Sequence, residues 1–483
     1  MEVGIISKGR NDSILPYGIV LFCVSVLALF ITALIQYKGQ IYIYVLFSVV
    51  SNYLLYSGFR KKAIFFDTFI GVLFWLGFWL KLSVRVAFLD SQFYESVGNF
   101  DGSGAAFDKA LLVSSCGFLG LVVASFIREK YLFTYPEKIT EPDKGGLIQF
   151  YQNHRQVILS VFVVLILVVA ISNAYFGIYQ RGAIPQLILP YGLSGIYKWL
   201  LLFGLASVTS LILKYEFTIN RKTSISVVIL GLLETFFSNI SLLSRGMIIN
   251  AMALGYGIFK GLKIYSIKSK YRFWIISFLT LFILFISSVY TVNFMRSDVF
   301  DARLDHYSKF QKHLNSNTRI IIRLLIDRWV GLEGVLAVSS YPDKSWNLWK
   351  EAWKEKFNYN KLTFYDENLI TSQYRNSDLT KHHYISLPGV IAFGYYPGSY
   401  LFLFGFMIFV GIFAGLIEKL VYRFGGKNII LCSLLAMVVA FRFAHFGYVP
   451  KQSYLLFGAL FLNLLIIYIL DKFLSFWYQK KHA

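Results

Sequence analysis

Twelve long apolar runs constrain this chain more than any other feature. They cover residues 15–36, 40–57, 64–80, 110–127, 157–176, 191–213, 224–241, 246–263, 273–294, 399–418, 428–444 and 453–471. A helix needs about 20 apolar residues to cross the hydrocarbon core of a bilayer, and it satisfies its own backbone hydrogen bonds on the way. The expected fold class is therefore an all-α polytopic membrane protein with about twelve transmembrane helices. Two runs are weaker than the rest. Run 64–80 continues in apolar character to Leu89, and run 246–263 is interrupted by Lys260.

Composition excludes the main soluble alternatives. Only 15% of the 483 residues are charged, against about 25% in ordinary soluble domains. A formal net charge of +21 would point to nucleic acid in a soluble protein. Here the basic residues belong to loops between apolar runs, and no nucleic-acid partner is expected. Cys23, Cys116 and Cys432 all lie inside apolar runs. They read as free thiols, without a disulfide framework or a zinc signature. The first run has no small-residue cleavage pattern after it and reads as a retained span.

Lysine and arginine set the expected orientation. With both termini in the cytoplasm, the inside segments hold 24 of these residues and the short outside loops hold 8. The one long polar insertion, Arg296–Ser386, then faces the periplasm or cell exterior. The chain divides into a nine-span bundle (1–295), this large loop (296–386), and a re-entrant turn with three further spans (387–483). Within the loop, Arg319–Ser340 has a helical pattern. Arg319, Arg323, Asp327, Gly331 and Gly334 form one polar or small stripe, so an amphipathic helix is expected on the membrane surface or over the bundle. Trp346, Trp349 and Trp353 follow at helical spacing, as an interfacial belt or a sugar-stacking platform. The segment LPGVIAFGYYPG (Leu387–Gly398) is too short to span and suits irregular backbone enclosed by protein.

No nucleotide-binding or metalloprotease motif is present: GxxxxGK[ST], a helix-opening GxGxxG and HExxH are all missing. The expected inside loops are short and basic, so chemistry driven by a cytoplasmic nucleotide is disfavoured. Transport remains, as does a reaction at the outer face with an energy-rich lipid donor. Arg85, Arg245, Arg296 and Arg442 fall at outer helix ends. Guanidinium binds phosphate bidentately, and several around one cavity would hold a pyrophosphate leaving group. For each arginine taken alone, snorkelling or pairing with a structural carboxylate is an even alternative. An acceptor hydroxyl needs a base within hydrogen-bond reach. Asp298, Glu333, His382, His383 and His445 are the candidates.

This plan resembles the Wzy-type O-antigen (oligosaccharide repeat-unit) polymerases. The likeness rests on the dozen spans, the single large outer loop in the C-terminal half, and the arginine set that includes SRG at Ser244–Gly246. It also rests on the loop ending HHYISLPGVIAFGYYPG and on the glycine-spaced helix FGFMIFVGIFAGLIE after it. The resemblance implies transfer of a growing glycan from undecaprenyl pyrophosphate onto a lipid-linked repeat unit, at the outer face of a bacterial inner membrane. It implies Arg245 and Arg296 on the pyrophosphate, with Arg328 and Arg442 in support, and Glu333, His382 or His383 acting on the acceptor hydroxyl. No cofactor and no metal are implied. A chain-length regulator and a flippase are the implied companions, beside membrane lipids. This sequence has one obvious large outer loop, so a second arginine-bearing loop would have to be the short 177–190 segment with Arg181. The rival readings are O-antigen ligase, which shares the donor and uses a lipid A core acceptor, and a lipid-linked oligosaccharide flippase. The flippase would need no outer region of this size and should show two similar halves.

Overall fold

The computed structural model describes residues 14–93, 95–139, 145–244, 246–295, 326–370, 372 and 385–482. Every element among them is helical. Among the described residues, nine helices are long and apolar enough to cross a membrane. They include α2 (Ile41–Gly58), α3 (Phe65–Phe88), α4 (Gly104–Tyr131), α5 (Gly146–Phe176), α6 (Pro190–Asn220), α8 (Met247–Ile264), α9 (Tyr271–Met295) and α14 (Tyr400–Phe424). The ninth ends the chain as α16 (Ser453–His482). Three further apolar helices occupy the other predicted runs: α1 (Ile14–Gln36), α7 (Ile225–Ser241) and α15 (Ile429–Ala444). The chain is thus an all-helical polytopic membrane protein. The three cysteines are free.

The two weaker runs explain themselves in three dimensions. α3 continues to Phe88 because its polar end is buried against the large loop, not exposed. It winds as a π-helix over Trp75–Leu80. Lys260 does not break α8. Its Nζ reaches the Ala63 carbonyl at 3.2 Å and sits 5.0 and 5.1 Å from the rings of Phe65 and Tyr256, the snorkelling that a long aliphatic stem permits.

Small residues set a close helix contact. A Cβ on Gly411 would lie 2.5 Å from that of Ala124, and one on Gly120 would lie 2.8 Å from the Phe404 carbonyl. α14 therefore packs on α4 at near-backbone distance, the way membrane helices associate when apolar burial alone gives no drive.

The described part of the large loop contains α10 (Leu332–Ser340), α11 (Trp346–Trp353) and α12 (Phe364–Asn368), and α13 (Val390–Gly394) follows it. The continuous helix expected from Arg319 to Ser340 is not there. Residues 328–331 form a turn, and α10 begins only at Leu332. Gly331 has φ +157°, and a Cβ there would meet the Phe78 ring at 2.4 Å. The surface placement also fails, because Leu332–Ser339 are all buried. The reason lies at Gly334, where a Cβ would come 1.9 Å from the Pro388 carbonyl; the small stripe is a docking face. The tryptophans are packed inward too. Trp349 and Trp353 stack at 5.3 Å, and both contact Phe393 of α13. Trp346 remains half-exposed beside Phe402.

Candidate functional site

One end of the bundle gathers residues 89–93 and 95–103, the segments 177–189 and 242–244, the described part of the large loop, and residues 445–452. Contacts tie them together. Gly389 N–H donates to the Phe446 carbonyl at 3.0 Å, Arg181 N–H to the Leu242 carbonyl at 2.9 Å, and Val449 N–H to Glu355 at 2.9 Å. This is the loop end.

Its foundation is a face of α3. Gly77 lets the Val330 carbonyl approach to 2.4 Å of where a Cβ would stand, and Phe78 covers Gly331. One turn on, Lys81 Nζ donates to both carboxylate oxygens of Glu333 at 2.9 and 2.8 Å, to the Asp327 carbonyl at 3.2 Å, and to the Trp329 carbonyl. A turn further, Arg85 pairs with Asp327 and donates to the Gln92 carbonyl at 2.8 Å. Gly77, Lys81 and Arg85 recur every four residues, so they share one helix face. Lys81 and Arg85 are each only 1% exposed. Removing one partner of a buried pair leaves an uncompensated charge, a cost of about 3–5 kcal/mol. These two pairs clamp the loop onto the bundle. Arg85 thus faces a buried carboxylate, and Glu333 faces an ammonium group.

A second group of cations surrounds His445, just beyond α15. Arg442, half-buried, donates to Ser453 Oγ at 2.8 Å and to the Tyr448 carbonyl at 3.3 Å, and lies 5.4 Å from the Phe446 ring. It makes no ion pair with any described carboxylate. Arg181 donates to Ser244 Oγ at 3.3 Å and lies 5.8 Å from the Phe441 ring. His445 stacks on that ring at 3.8 Å, and its Nδ1 lies 3.1 Å from the Phe441 carbonyl. Because a carbonyl only accepts, Nδ1 carries the proton and Nε2 is the acceptor. Burial lowers His445 to about 3, with Arg181, Arg328 and Lys81 adding to the effect. The imidazole is neutral at pH 7. Arg328, whose guanidinium lies 5.3 Å from the Trp329 ring, is also lowered by burial, though a guanidinium keeps its charge in any case.

Beside the clamp lies a cavity of about 140 Å³. Lys81, Arg328, Asp327, Glu333, Trp329 and Ser386 are among its walls. No group of three or more potential metal ligands occurs among the described residues.

The loop end therefore brings together Arg85, Arg328, Arg442, Glu333 and His445 of the sequence candidates. Arg245, Arg296, Asp298, His382 and His383 lie outside the described residues, as do Arg319 and Arg323. Sequence reasoning counted Lys81 only as a loop charge, and named Arg181 only as the arginine of a possible second outer loop. Lys81 and Arg85 four apart in an apolar run were a signal for a buried polar face. Arg181 carried the weaker hint of an Arg–Gly pair ahead of Pro185.

The fold and this site define a class: a polytopic helical membrane protein with a polar chamber at one end, walled by both basic and acidic side chains. Comparison of the chain with protein-family models, curated proteins and solved structures gives no match.

Proposed function

We propose that the chain is a polysaccharide polymerase of the outer face of a bacterial cytoplasmic membrane, with both termini inside. It joins undecaprenyl-pyrophosphate-linked repeat units into O-antigen or capsular polymer. The observation that carries the reading is Arg442. It is held by a hydroxyl, a carbonyl and an aromatic ring, close to the Arg181–Phe441–His445 stack. Arginines arranged this way suit an anion with several oxygens, for which the guanidinium fork is matched.

In the reaction, the acceptor sugar's hydroxyl oxygen attacks the anomeric carbon of the growing chain. The bond from that carbon to the pyrophosphate oxygen breaks, and undecaprenyl pyrophosphate leaves with the electron pair. Arg442, Arg181 and Arg328 stabilise the charge that develops there, with Arg245 and Arg296 as the further arginines of the set. The acceptor proton passes to Glu333, His382 or His383, or to His445. The basicity of His445 is suppressed by burial and the nearby cations, and a bound pyrophosphate would offset those cations and raise it. Glu333 is oriented by Lys81 for this task or for holding the hydroxyl.

Purified protein in liposomes tests the reading directly. Supplied with lipid-linked repeat units and no nucleotide, it should lengthen them and release undecaprenyl pyrophosphate. Unchanged repeat units in a preparation that retains its thermal transition would refute it.

A further inference from the structure

We infer that Glu355 is the positioning residue for Arg442, acting through the single peptide unit that joins Tyr448 to Val449. The inference deepens the polymerase reading, because it rests on Arg442 as an anion-binding group.

Every contact that holds Arg442 comes from residues 446–453. Its Nη2 donates to the Tyr448 carbonyl at 3.3 Å and to Ser453 Oγ at 2.8 Å, and its Nε donates to the same Oγ at 3.2 Å. The Phe446 ring lies 5.4 Å from the guanidinium. Nη1 makes no hydrogen bond among the described residues. The direction in which the fork faces is therefore set by the path of this turn between α15 and α16.

That path runs against its local preference. Val449 has φ +43° and ψ +58°, and Pro450 follows it. A β-branched residue seldom enters the left-handed region, and a residue before proline is pushed toward extended backbone. Such strain persists only where the surroundings hold it. Val449 is buried, and its N–H donates to Glu355 Oε2 at 2.9 Å. Glu355 Oε1 accepts from Phe364 N–H at 2.6 Å. The carboxylate is thus fixed just past the end of α11 by the start of α12, and it holds the turn from there.

Both bonds meet on one peptide. The Tyr448 carbonyl and the Val449 N–H belong to the same planar trans unit and point to opposite sides of it. Glu355 takes the N–H, and Arg442 takes the carbonyl. Fixing one end of the unit fixes the other. A carboxylate on the N–H also polarises the peptide and strengthens its carbonyl as an acceptor. Arg442 is oriented by a carboxylate one peptide away, whereas a direct ion pair, such as Arg85 makes with Asp327, would occupy the fork that an anion needs.

Calorimetric titration of full-length protein in neutral detergent, with inorganic pyrophosphate as the probe, tests this. Glu355→Ala should weaken binding about tenfold, the scale of one hydrogen bond to a charged group. Glu355→Gln keeps one acceptor oxygen and should lose less. Arg442→Ala should lose more, leaving the residual affinity of Arg181 and Arg328. Adding Glu355→Ala to Arg442→Ala should cost nothing further, since the group it positions is gone. A merely structural Glu355 would give the same loss in both backgrounds. If Glu355→Ala lacks a thermal transition, Glu355→Gln takes its place in the cycle. The inference is overturned if the Glu355 variant binds pyrophosphate as tightly as wild type, if its loss is equal with and without Arg442, or if wild type binds no pyrophosphate. Polymer formation is scored separately. Pyrophosphate binding that depends on both residues in a protein that makes no polymer would contradict the polymerase reading and leave the role of Glu355 standing.

Discussion

The two ends of the bundle use the same residue types to opposite effect. At the end away from the loop, polar groups saturate one another. Glu418 accepts from Phe65 N–H at 2.8 Å, Phe66 N–H at 2.9 Å and the Tyr135 hydroxyl at 2.5 Å, closing the first turn of α3. Asp67 pairs with Arg128 at 2.6 Å and accepts from Ser125 at 2.9 Å. Asn428 caps α15 through Ile430 and Leu431 N–H. These groups seal helix termini, whose first N–H groups would otherwise lack partners. At the loop end, two pairs clamp the loop, while Arg442 is held by neutral acceptors. A buried arginine is therefore not a site by virtue of its charge. What surrounds it decides whether it is structure or a place for an anion.

The largest expected effect comes from breaking the clamp. Lys81→Met leaves Glu333 buried without its cation and should lower stability by about 3–5 kcal/mol. Adding Glu333→Gln should recover a good part of that loss, measured as thermal transitions in a double-mutant cycle. Strict additivity of the two changes would mean that the pair is not coupled.

Next in size is the contrast between ends. Arg442→Ala should fold normally and lose polymer formation by about a hundredfold or more, consistent with loss of transition-state charge stabilisation. Arg442→Lys should retain part of it, since charge survives and the fork does not. Arg128→Ala should do the reverse, lowering the amount of folded protein while the folded fraction stays active. Equal activity losses at matched protein levels would erase the distinction between the ends. Glu418→Gln should be milder, about 1–2 kcal/mol, because removing charge weakens hydrogen bonds without emptying the position, and polymer length should not change.

The smallest effect is a pH dependence from Glu355, outside the spans. Burial raises its carboxyl from 4.5, against the lowering by the N–H groups of Phe364 and Val449. A raised value means that the folded state favours the proton. The associated stability is full below about pH 4.5 and is lost as pH rises through the folded-state value. Glu355→Gln should flatten this slope in transition temperatures scanned between pH 4 and 7.

Much of the architecture was legible because membrane spans are written in local composition. Each predicted apolar run has a helix over it, and even Lys260 fits once its stem is allowed to snorkel. The Arg319–Ser340 stripe was misread because its glycines satisfy helical periodicity while serving close approach to Phe78 and Pro388; one sequence cannot separate those uses. Arg85 and Glu333 were found, but their partners Asp327 and Lys81 lie more than two hundred residues away, and no local pattern encodes such pairing.

The most direct measurement is a gel of surface polysaccharide from the host after deletion of the gene. The deletion strain is compared with strains carrying the wild-type gene or Arg442→Ala, at matched amounts of protein in the membrane. The account predicts a full ladder with wild type and a single repeat unit with both the deletion and Arg442→Ala. A full ladder in the deletion strain would contradict it. So would loss of all attached sugar with lipid-linked polymer accumulating, which marks a ligase, or repeat units trapped on the cytoplasmic side, which marks a flippase.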